Sequence, residues 1–174
     1  MGLAGPYRSL RWIAMTLPAP CNNRTRIKIC GLTREEDADA LGFVMYAKSP
    51  RFVSIDRAVE LSRRLPPFVT PVLLFVNESA SAIEACCTRI PHATLQFHGE
   101  ETPQQCLDAT LNGARAFLRA ARIPLGEAAA RFDLVKYAHD YSCAQAILLD
   151  AHVEGYGGGG KAFNWSLLPL VVNA

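Results

Sequence analysis

The sequence contains no apolar run that approaches the roughly 18 consecutive residues of a membrane-spanning helix. It also carries little excess charge, because 18 Lys and Arg residues face 16 Asp and Glu residues and leave a net charge of +2. A charge this small produces no strong field that would attract nucleic acid or an anionic membrane. We therefore expect neither as a partner. Half of the 174 residues are apolar, which suffices for one domain with a sizeable core.

Metal-binding patterns are absent as well. None of the six cysteines belongs to a CxxC pair or to the Cys and His spacing that holds zinc. Two of them, Cys86 and Cys87, are adjacent and would point in different directions from a helix. We expect no metal site, and a reduced, cytoplasmic chain that uses several cysteines as small hydrophobic residues.

The first 25 residues contain no acidic side chain and show little hydrophobic periodicity. An apolar run over residues 12–15 resembles a weak targeting sequence, but it is short and Pro18 soon follows it. We expect residues 1–25 to form a disordered N-terminal extension, with Met15 as an alternative start. The folded domain is then expected over residues 26–174.

Six short apolar or β-rich runs recur along this domain. They cover residues 26–30, 41–46, 71–76, 93–98, 116–121 and 146–150. Most are apolar on both faces, as strands of a parallel sheet are when they lie between two layers.

Helical patterns lie between several of these runs. They comprise Ala58, Leu61, Ser62 and Leu65 after the candidate N-cap Ser54, then Ile83, Cys86, Cys87 and Ile90, then a helix opened by Thr102 and Pro103. The alternation of strands and helices predicts a parallel α/β sheet.

Polar or reactive residues stand where the runs end. They are Cys30, Arg51 a few residues beyond the second run, Asn77, Gln96 with His98, Arg122 and Asp150. Ligands bind at the carboxyl edge of the strands both in α/β barrels and in doubly wound sheets. The pattern therefore predicts a site at this edge without choosing between the two architectures.

Cys30 has two interpretations. As a small buried hydrophobic residue it would have no chemical role. However, side chains alternate along a strand, so Lys28 and Cys30 share the face opposite Ile27 and Ile29. An inward lysine is costly without a partner, and a nearby ammonium favours a thiolate. Such a thiolate could act as a base or as a nucleophile.

The other edge residues also leave alternatives open. Asp150 could be a helix N-cap, part of a structural ion pair, or a general acid or base. Arg51 follows Pro50 and could either be solvated or bind a carboxylate through its two-pronged guanidinium. Gln96 and His98 share one strand face, for which a hydrogen-bonded core pair is the commoner outcome.

The segment GYGGGGKAFNW, residues 155–165, has part of the spacing of a phosphate-binding loop. Ala162 stands where that loop has the hydroxyl residue that ligates Mg²⁺, so nucleotide hydrolysis is disfavoured. We expect instead a loop that closes over the site. Glycines such as Gly157 and Gly158 would let its backbone approach a ligand closely.

Five segments together resemble the phosphoribosylanthranilate isomerases of tryptophan biosynthesis. In order they are RIKICGLTREED, GFVMYAKSPRFVS, LLFVN, LQFHGEETP and ILLDAHVEGYGGGGKAFNW. The resemblance covers residues 26 to about 168 and implies a (β/α)₈ TIM barrel without metal or cofactor. It also implies the substrate, N-(5-phosphoribosyl)anthranilate, and its conversion by an Amadori rearrangement into 1-(2-carboxyphenylamino)-1-deoxyribulose 5-phosphate.

The resemblance also assigns roles to individual residues. Cys30 would be the general base, Asp150 the general acid, and Arg51 the residue that holds the anthranilate carboxylate. The remaining residues expected to bind substrate are Gln96, His98, Arg122, Gly157 and Gly158.

The chain departs from this family in two places. Residues 31–40 leave less room than a normal crossover helix needs, and only six of the eight barrel strands are found. We therefore expect an incomplete barrel that lacks strands 7 and 8 and their phosphate-binding loops, and little isomerase activity from the chain as printed. The alternative is a non-catalytic open half-barrel or a fragment that depends on a partner. The pattern does not indicate an oligomeric state.

Overall fold

The computed structural model describes residues 26–30, 38–153, 156 and 162–167. Its strands are β1 (Lys28–Cys30), β2 (Ala40–Val44), β3 (Thr70–Phe75), β4 (Thr94–Phe97), β5 (Phe117–Ile123) and β6 (Ala146–Ala151). Its helices are α1 (Ile55–Ser62), α2 (Ala80–Arg89), α3 (Pro103–Ala109) and α4 (Leu134–Asp140), with 3₁₀ turns at Gly126–Arg131 and Trp165–Leu167. None of the helices in these ranges is long and apolar enough to cross a bilayer.

The six strands form one sheet in which each pairs with the next along the chain, and every pair is parallel. This confirms the predicted parallel α/β sheet. A doubly wound sheet reverses its strand order at a switch point, whereas this order runs in one direction only, as in a barrel. β1 and β2 pair in parallel although only residues 31–39 separate them, and residues 31–37 lie outside the described part of the chain.

The two faces of the sheet have different roles. The helix-facing side carries large buried side chains that pack against α1 to α3, among them Phe43, Leu73, Phe75, Phe97 and Phe117. The opposite, inner side carries a smaller apolar cluster formed by Val44, Leu74 and Val76. Because side chains alternate along each strand, the main core on one side leaves the other side available for a site.

Short-range capping explains where the helices begin. The side chain of Ser54 accepts a hydrogen bond from the Arg57 amide, as predicted. Thr102 forms a reciprocal capping box with Gln105, and Pro103 occupies the first turn of α3, again as predicted. The buried face predicted for α1 is partly wrong. Ala58 and Ser62 are buried as predicted, and Leu61 and Leu65 pack half-buried against the main core, but Val59 is buried as well and the helix ends at Ser62, before Leu65.

A buried ion pair joins the carboxyl ends of β3 and β4 to the middle of β5 on the helix-facing side. The two oxygens of Glu101 accept hydrogen bonds from the amides of Asn77 and Gly99, at 2.6 and 2.9 Å, and from Arg119 Nη1 at 3.1 Å. Arg119 also donates to the carbonyls of Phe97 and Gly99, each at 3.0 Å. The loops that follow β3 and β4 are thereby fixed to the middle of β5.

We expect Arg119→Met to lower the free energy of unfolding by about 3–5 kcal/mol, because it leaves the Glu101 carboxylate buried without its cation. The measurement is urea denaturation followed by circular dichroism. Arg57→Met is the matched control, since the ion pair between Arg57 and Glu60 is exposed and its loss should leave the free energy of unfolding nearly unchanged. Equal stability of the two variants would contradict the role assigned to the buried pair.

Candidate functional site

The amino-terminal strand places Lys28 and Cys30 on the inner side of the sheet. Lys28 Nζ donates a hydrogen bond to Cys30 Sγ at 2.6 Å, and both residues are half-buried. This gives the inward lysine the partner that the sequence argument required. On the other face Ile29 is half-buried, whereas Ile27, just before the strand, is 47% exposed.

Gly42 makes room for this pair on the neighbouring strand. It lies opposite Cys30 in the register, and a Cβ atom there would be 3.0 Å from Cys30 Sγ and 3.2 Å from Lys28 Nζ. Contacts this short would force the sulfur or the ammonium to move. A side chain at position 42 is therefore incompatible with the observed arrangement of the two groups.

A chain of hydrogen bonds connects β4 to β6 at the same edge. Gln96 Nε2 lies 2.9 Å from His98 Nδ1, and His98 Nε2 lies 2.9 Å from Asp150 Oδ2. An amide nitrogen only donates, so in this arrangement His98 accepts at Nδ1 and donates from Nε2 to the Asp150 carboxylate. Gln96 and His98 are buried, whereas the Asp150 side chain is 31% exposed to the pocket.

The charge on His98 follows from its surroundings. Burial lowers its pKa, and the positive charges of Arg122 and Lys28 act in the same direction, while the hydrogen bond to Asp150 opposes them. The net effect is a pKa below the usual value of 6.5, so the imidazole is neutral at pH 7. Asp150 therefore contacts a neutral ring rather than an imidazolium.

Arg51 reaches the site from the loop that follows β2. Its Nη1 lies 3.4 Å from the carbonyl oxygen of Cys30, and its side chain is exposed. The loop is held by the Ser49 hydroxyl, which accepts a hydrogen bond from the Arg51 amide at 3.2 Å. A contact as long as 3.4 Å is weak, so the guanidinium can take up a carboxylate at little cost.

Arg122 lies on β5 directly opposite Asp150 in the strand register. It donates to Glu100 Oε1 at 2.6 Å and to the carbonyl of Val153 at 2.9 Å, and its guanidinium lies 4.5 Å from the centre of the Tyr156 ring. These contacts connect three loops at the edge of the sheet. The predicted contact of Arg122 with substrate stays a prediction.

Two tyrosines complete the wall of the site, and the sequence argument did not single them out. Tyr46 and Tyr156 meet edge to face, with ring centres 5.7 Å apart, and both pack against the inner apolar cluster. The Tyr156 hydroxyl lies 3.1 Å from Asn77 Nδ2. An aromatic residue within a glycine-rich loop is the sequence signal that could have identified Tyr156.

One pocket brings most of the predicted residues together. It is lined by Cys30, Arg51, Gln96, His98 and Asp150, together with Val44, Tyr46, Leu74, Leu148 and Tyr156. A thiol and a carboxyl group thus enter one pocket from the first and the last strand of the sheet, which is an arrangement suited to moving protons. The predicted residues Gly157 and Gly158 lie outside the described part of the chain.

Comparison with known proteins gives a consistent result. The family model for N-(5'phosphoribosyl)anthranilate (PRA) isomerase matches residues 20–174. A curated relative named N-(5'-phosphoribosyl)anthranilate isomerase, from Methylibium petroleiphilum, is 59% identical over 154 residues, which are 84% of this chain and 68% of the relative.

Two solved structures are similar in both fold and sequence. Phosphoribosyl anthranilate isomerase from Thermotoga maritima is 36% identical with a TM-score of 0.66, over 83% of this chain and 70% of that chain. Another isomerase, in complex with reduced 1-(o-carboxyphenylamino)-1-deoxyribulose 5-phosphate, is 32% identical with a TM-score of 0.58, over 74% of this chain and 66% of that chain. The chain thus spans about two thirds of the length of these proteins.

The Lys28 contact should control the reactivity of Cys30. We expect Lys28→Met to slow alkylation of Cys30 by iodoacetamide at pH 7 about tenfold. A hydrogen bond donated to the sulfur and a positive charge beside it both stabilise negative charge on the sulfur, which makes it more nucleophilic. Mass spectrometry resolves the modified residue.

The other cysteines provide the controls for this experiment. Cys143 is exposed and should react equally fast in both proteins. Burial raises the pKa values of Cys86 and Cys87, and raises that of Cys106 to about 12, so these thiols should react slowly in both. An unchanged alkylation rate of Cys30 in Lys28→Met would contradict the predicted effect of Lys28 on the reactivity of this thiol.

His98 should make the stability of the protein depend on pH. In the unfolded chain it takes up a proton near pH 6.5, whereas in the folded chain it does so only at lower pH. Between these values the unfolded state binds more protons, so the free energy of unfolding falls as the pH is lowered from about 7 to below 6.5. We expect a smaller fall in His98→Asn, measured by urea denaturation at each pH.

The exposed His92 provides the comparison for the pH series. The variant His92→Asn should show the same fall in stability between these pH values as the unaltered chain. If His98→Asn and His92→Asn showed equal falls, the neutral state of His98 would not contribute to the stability of the fold.

Proposed function

This chain belongs to the N-(5'-phosphoribosyl)anthranilate isomerase family, and we propose that Cys30 and Asp150 are its base and acid for that reaction. The observation that carries the proposal is their position in one pocket, entered by β1 on one side and β6 on the other. The substrate would be N-(5-phosphoribosyl)anthranilate, which the family isomerises in tryptophan biosynthesis.

Asp150 would start the reaction by giving its proton to the ring oxygen of the sugar. The bond between that oxygen and carbon 1 then breaks, and the anthranilate nitrogen forms a double bond with carbon 1. The resulting protonated Schiff base makes the proton on carbon 2 acidic. The side chain of Asp150 is partly exposed to the pocket, and His98 holds one of its carboxyl oxygens. The carboxyl group can therefore reach the substrate and still keep its orientation.

Cys30, as a thiolate, would remove the proton from carbon 2. The electrons of that bond form a double bond between carbons 1 and 2 and neutralise the nitrogen. The enolamine then moves its hydroxyl proton to carbon 1 and becomes the ketone, so the reaction needs no external oxidant or reductant. The Lys28 ammonium supports the thiolate through its contact with Cys30.

Arg51 would bind the anthranilate carboxylate beside Cys30. Its exposed guanidinium and its long contact with the Cys30 carbonyl are compatible with this role. The related structure that holds a reduced carboxyphenylamino-deoxyribulose phosphate supports a substrate of this class. The free thiols of the described cysteines are consistent with a cytoplasmic location, which we propose as well.

We expect Cys30→Ser to reduce turnover at least about 10²-fold, because a hydroxyl is a far weaker base than a thiolate. The assay follows the fluorescence decay of phosphoribosylanthranilate. It uses the chain as printed and a version extended by the part of the Methylibium petroleiphilum relative that this chain does not cover. Complementation of a tryptophan auxotroph that lacks this isomerase provides the test in cells.

The exposed Cys143 provides the matched control, since Cys143→Ser should leave turnover unchanged. Near-normal turnover of Cys30→Ser would overturn the assignment of the base. Absence of turnover in both the printed and the extended chain, with cooperative unfolding of each, would overturn the proposed function and favour a non-catalytic half-barrel.

A further inference from the structure

The Gln96 amide is a buried polar group of the site that the proposed reaction does not use. Gln96 is fully buried and lies between Leu74 and Leu118 in the strand register. Its Nε2 contacts His98, whereas its Oε1 has no hydrogen-bond partner among the described residues. Burying an amide whose oxygen has no hydrogen-bond partner costs free energy. A role of this amide in the site would explain why it is present.

A half-turn of this amide exchanges the positions of Oε1 and Nε2 and moves no other atom. In one orientation Nε2 donates to His98 Nδ1, and His98 donates from Nε2 to an ionised Asp150. In the other, Oε1 accepts from an Nδ1–H group, and His98 Nε2 accepts from a protonated Asp150. The same 2.9 Å contacts serve both arrangements.

We propose that Gln96 and His98 are positioning residues that give Asp150 a hydrogen-bond partner in both its protonated and its ionised form. The inference rests on the proposed role of Asp150 as the acid. It differs from the expectation that Gln96 and His98 contact substrate. Because the proton donor must alternate between these forms in every cycle, a partner that adapts to both keeps the carboxyl group in one orientation.

This exchange between two hydrogen-bond arrangements requires that the imidazole of His98 stays neutral. An imidazolium would donate from both nitrogens and would hold Asp150 in its ionised form, which cannot supply a proton. Lys28 on β1 and Arg122 on β5 bring positive charge towards the ring, and burial acts in the same direction. The one group of opposite charge in contact with the ring is Asp150 itself, in the part of the chain that the structure describes.

The first test is nitrogen NMR of the chain labelled with ¹⁵N-histidine. The signals of His98 are assigned by their disappearance in the variant His98→Asn. At pH 7 we expect the tautomer with a proton on Nε2. As the pH is lowered, with sucrose added to preserve the fold, we expect a change to the neutral tautomer with a proton on Nδ1. A change to the imidazolium would overturn the proposal, and so would persistence of the Nε2–H tautomer while Asp150 takes up its proton.

The second test is Gln96→Met, which keeps the size of the side chain and removes both polar atoms. In this variant we expect the tautomer change to disappear. In the extended enzyme we expect kcat to fall at least about tenfold with KM unchanged. A raised KM with unchanged kcat would overturn the proposal and favour direct binding of substrate by Gln96.

The control is Gln104→Met, the same substitution on the exposed face of α3, which should change neither the NMR spectrum of His98 nor the kinetics. The NMR measurement requires no turnover. It therefore distinguishes failure of this inference from failure of the proposed isomerase function.

Discussion

Two buried side chains, Arg119 and Glu101, fix the loop that places His98, and through it Asp150, at the edge of this sheet. Both oxygens of Glu101 and both terminal nitrogens of Arg119 are bonded within the loops that follow β3 and β4. Burying two charges is expensive, and such a pair adds little to stability unless every remaining donor and acceptor is used. Here nearly all of these donors and acceptors are used, so the pair fixes the ends of β3 and β4 relative to the middle of β5 rather than only filling the core.

The pair acts on the pocket through the loop that it fixes. His98 directly precedes Gly99, whose amide and carbonyl both bond to the pair. Gly99 must remain glycine, because a Cβ atom would lie 2.4 Å from Asn77 Oδ1. Asn77 in turn contacts the Tyr156 hydroxyl. The helix-facing side of the sheet thus fixes the positions of an imidazole and an aromatic ring that face the other side.

Local patterns explain why part of this arrangement could be predicted. Alternation along one strand was enough to place Lys28 beside Cys30, and strand ends were enough to place Asp150 at the edge. The bond between His98 and Asp150 joins positions 52 residues apart, and no local pattern encodes such a distance. The role of Arg119 was not predicted because Arg119 stands within an apolar run, and its burial is stabilised by Glu101, a carboxylate 18 residues away. Helix α4 was missed because none of its residues is fully buried, which leaves no clear hydrophobic period.

The acid and the base of the site therefore depend on the fold in different ways. Cys30 is held by a lysine two residues away on its own strand and by the absence of a side chain at Gly42. Asp150 is held through His98 and the loop of β4, which rest in turn on the buried ion pair of β5. Disturbing the core beneath β4 and β5 should misplace the acid while the thiol keeps its partner. Because local contacts position Cys30 and long-range packing positions Asp150, a substitution can impair one proton transfer and leave the other intact.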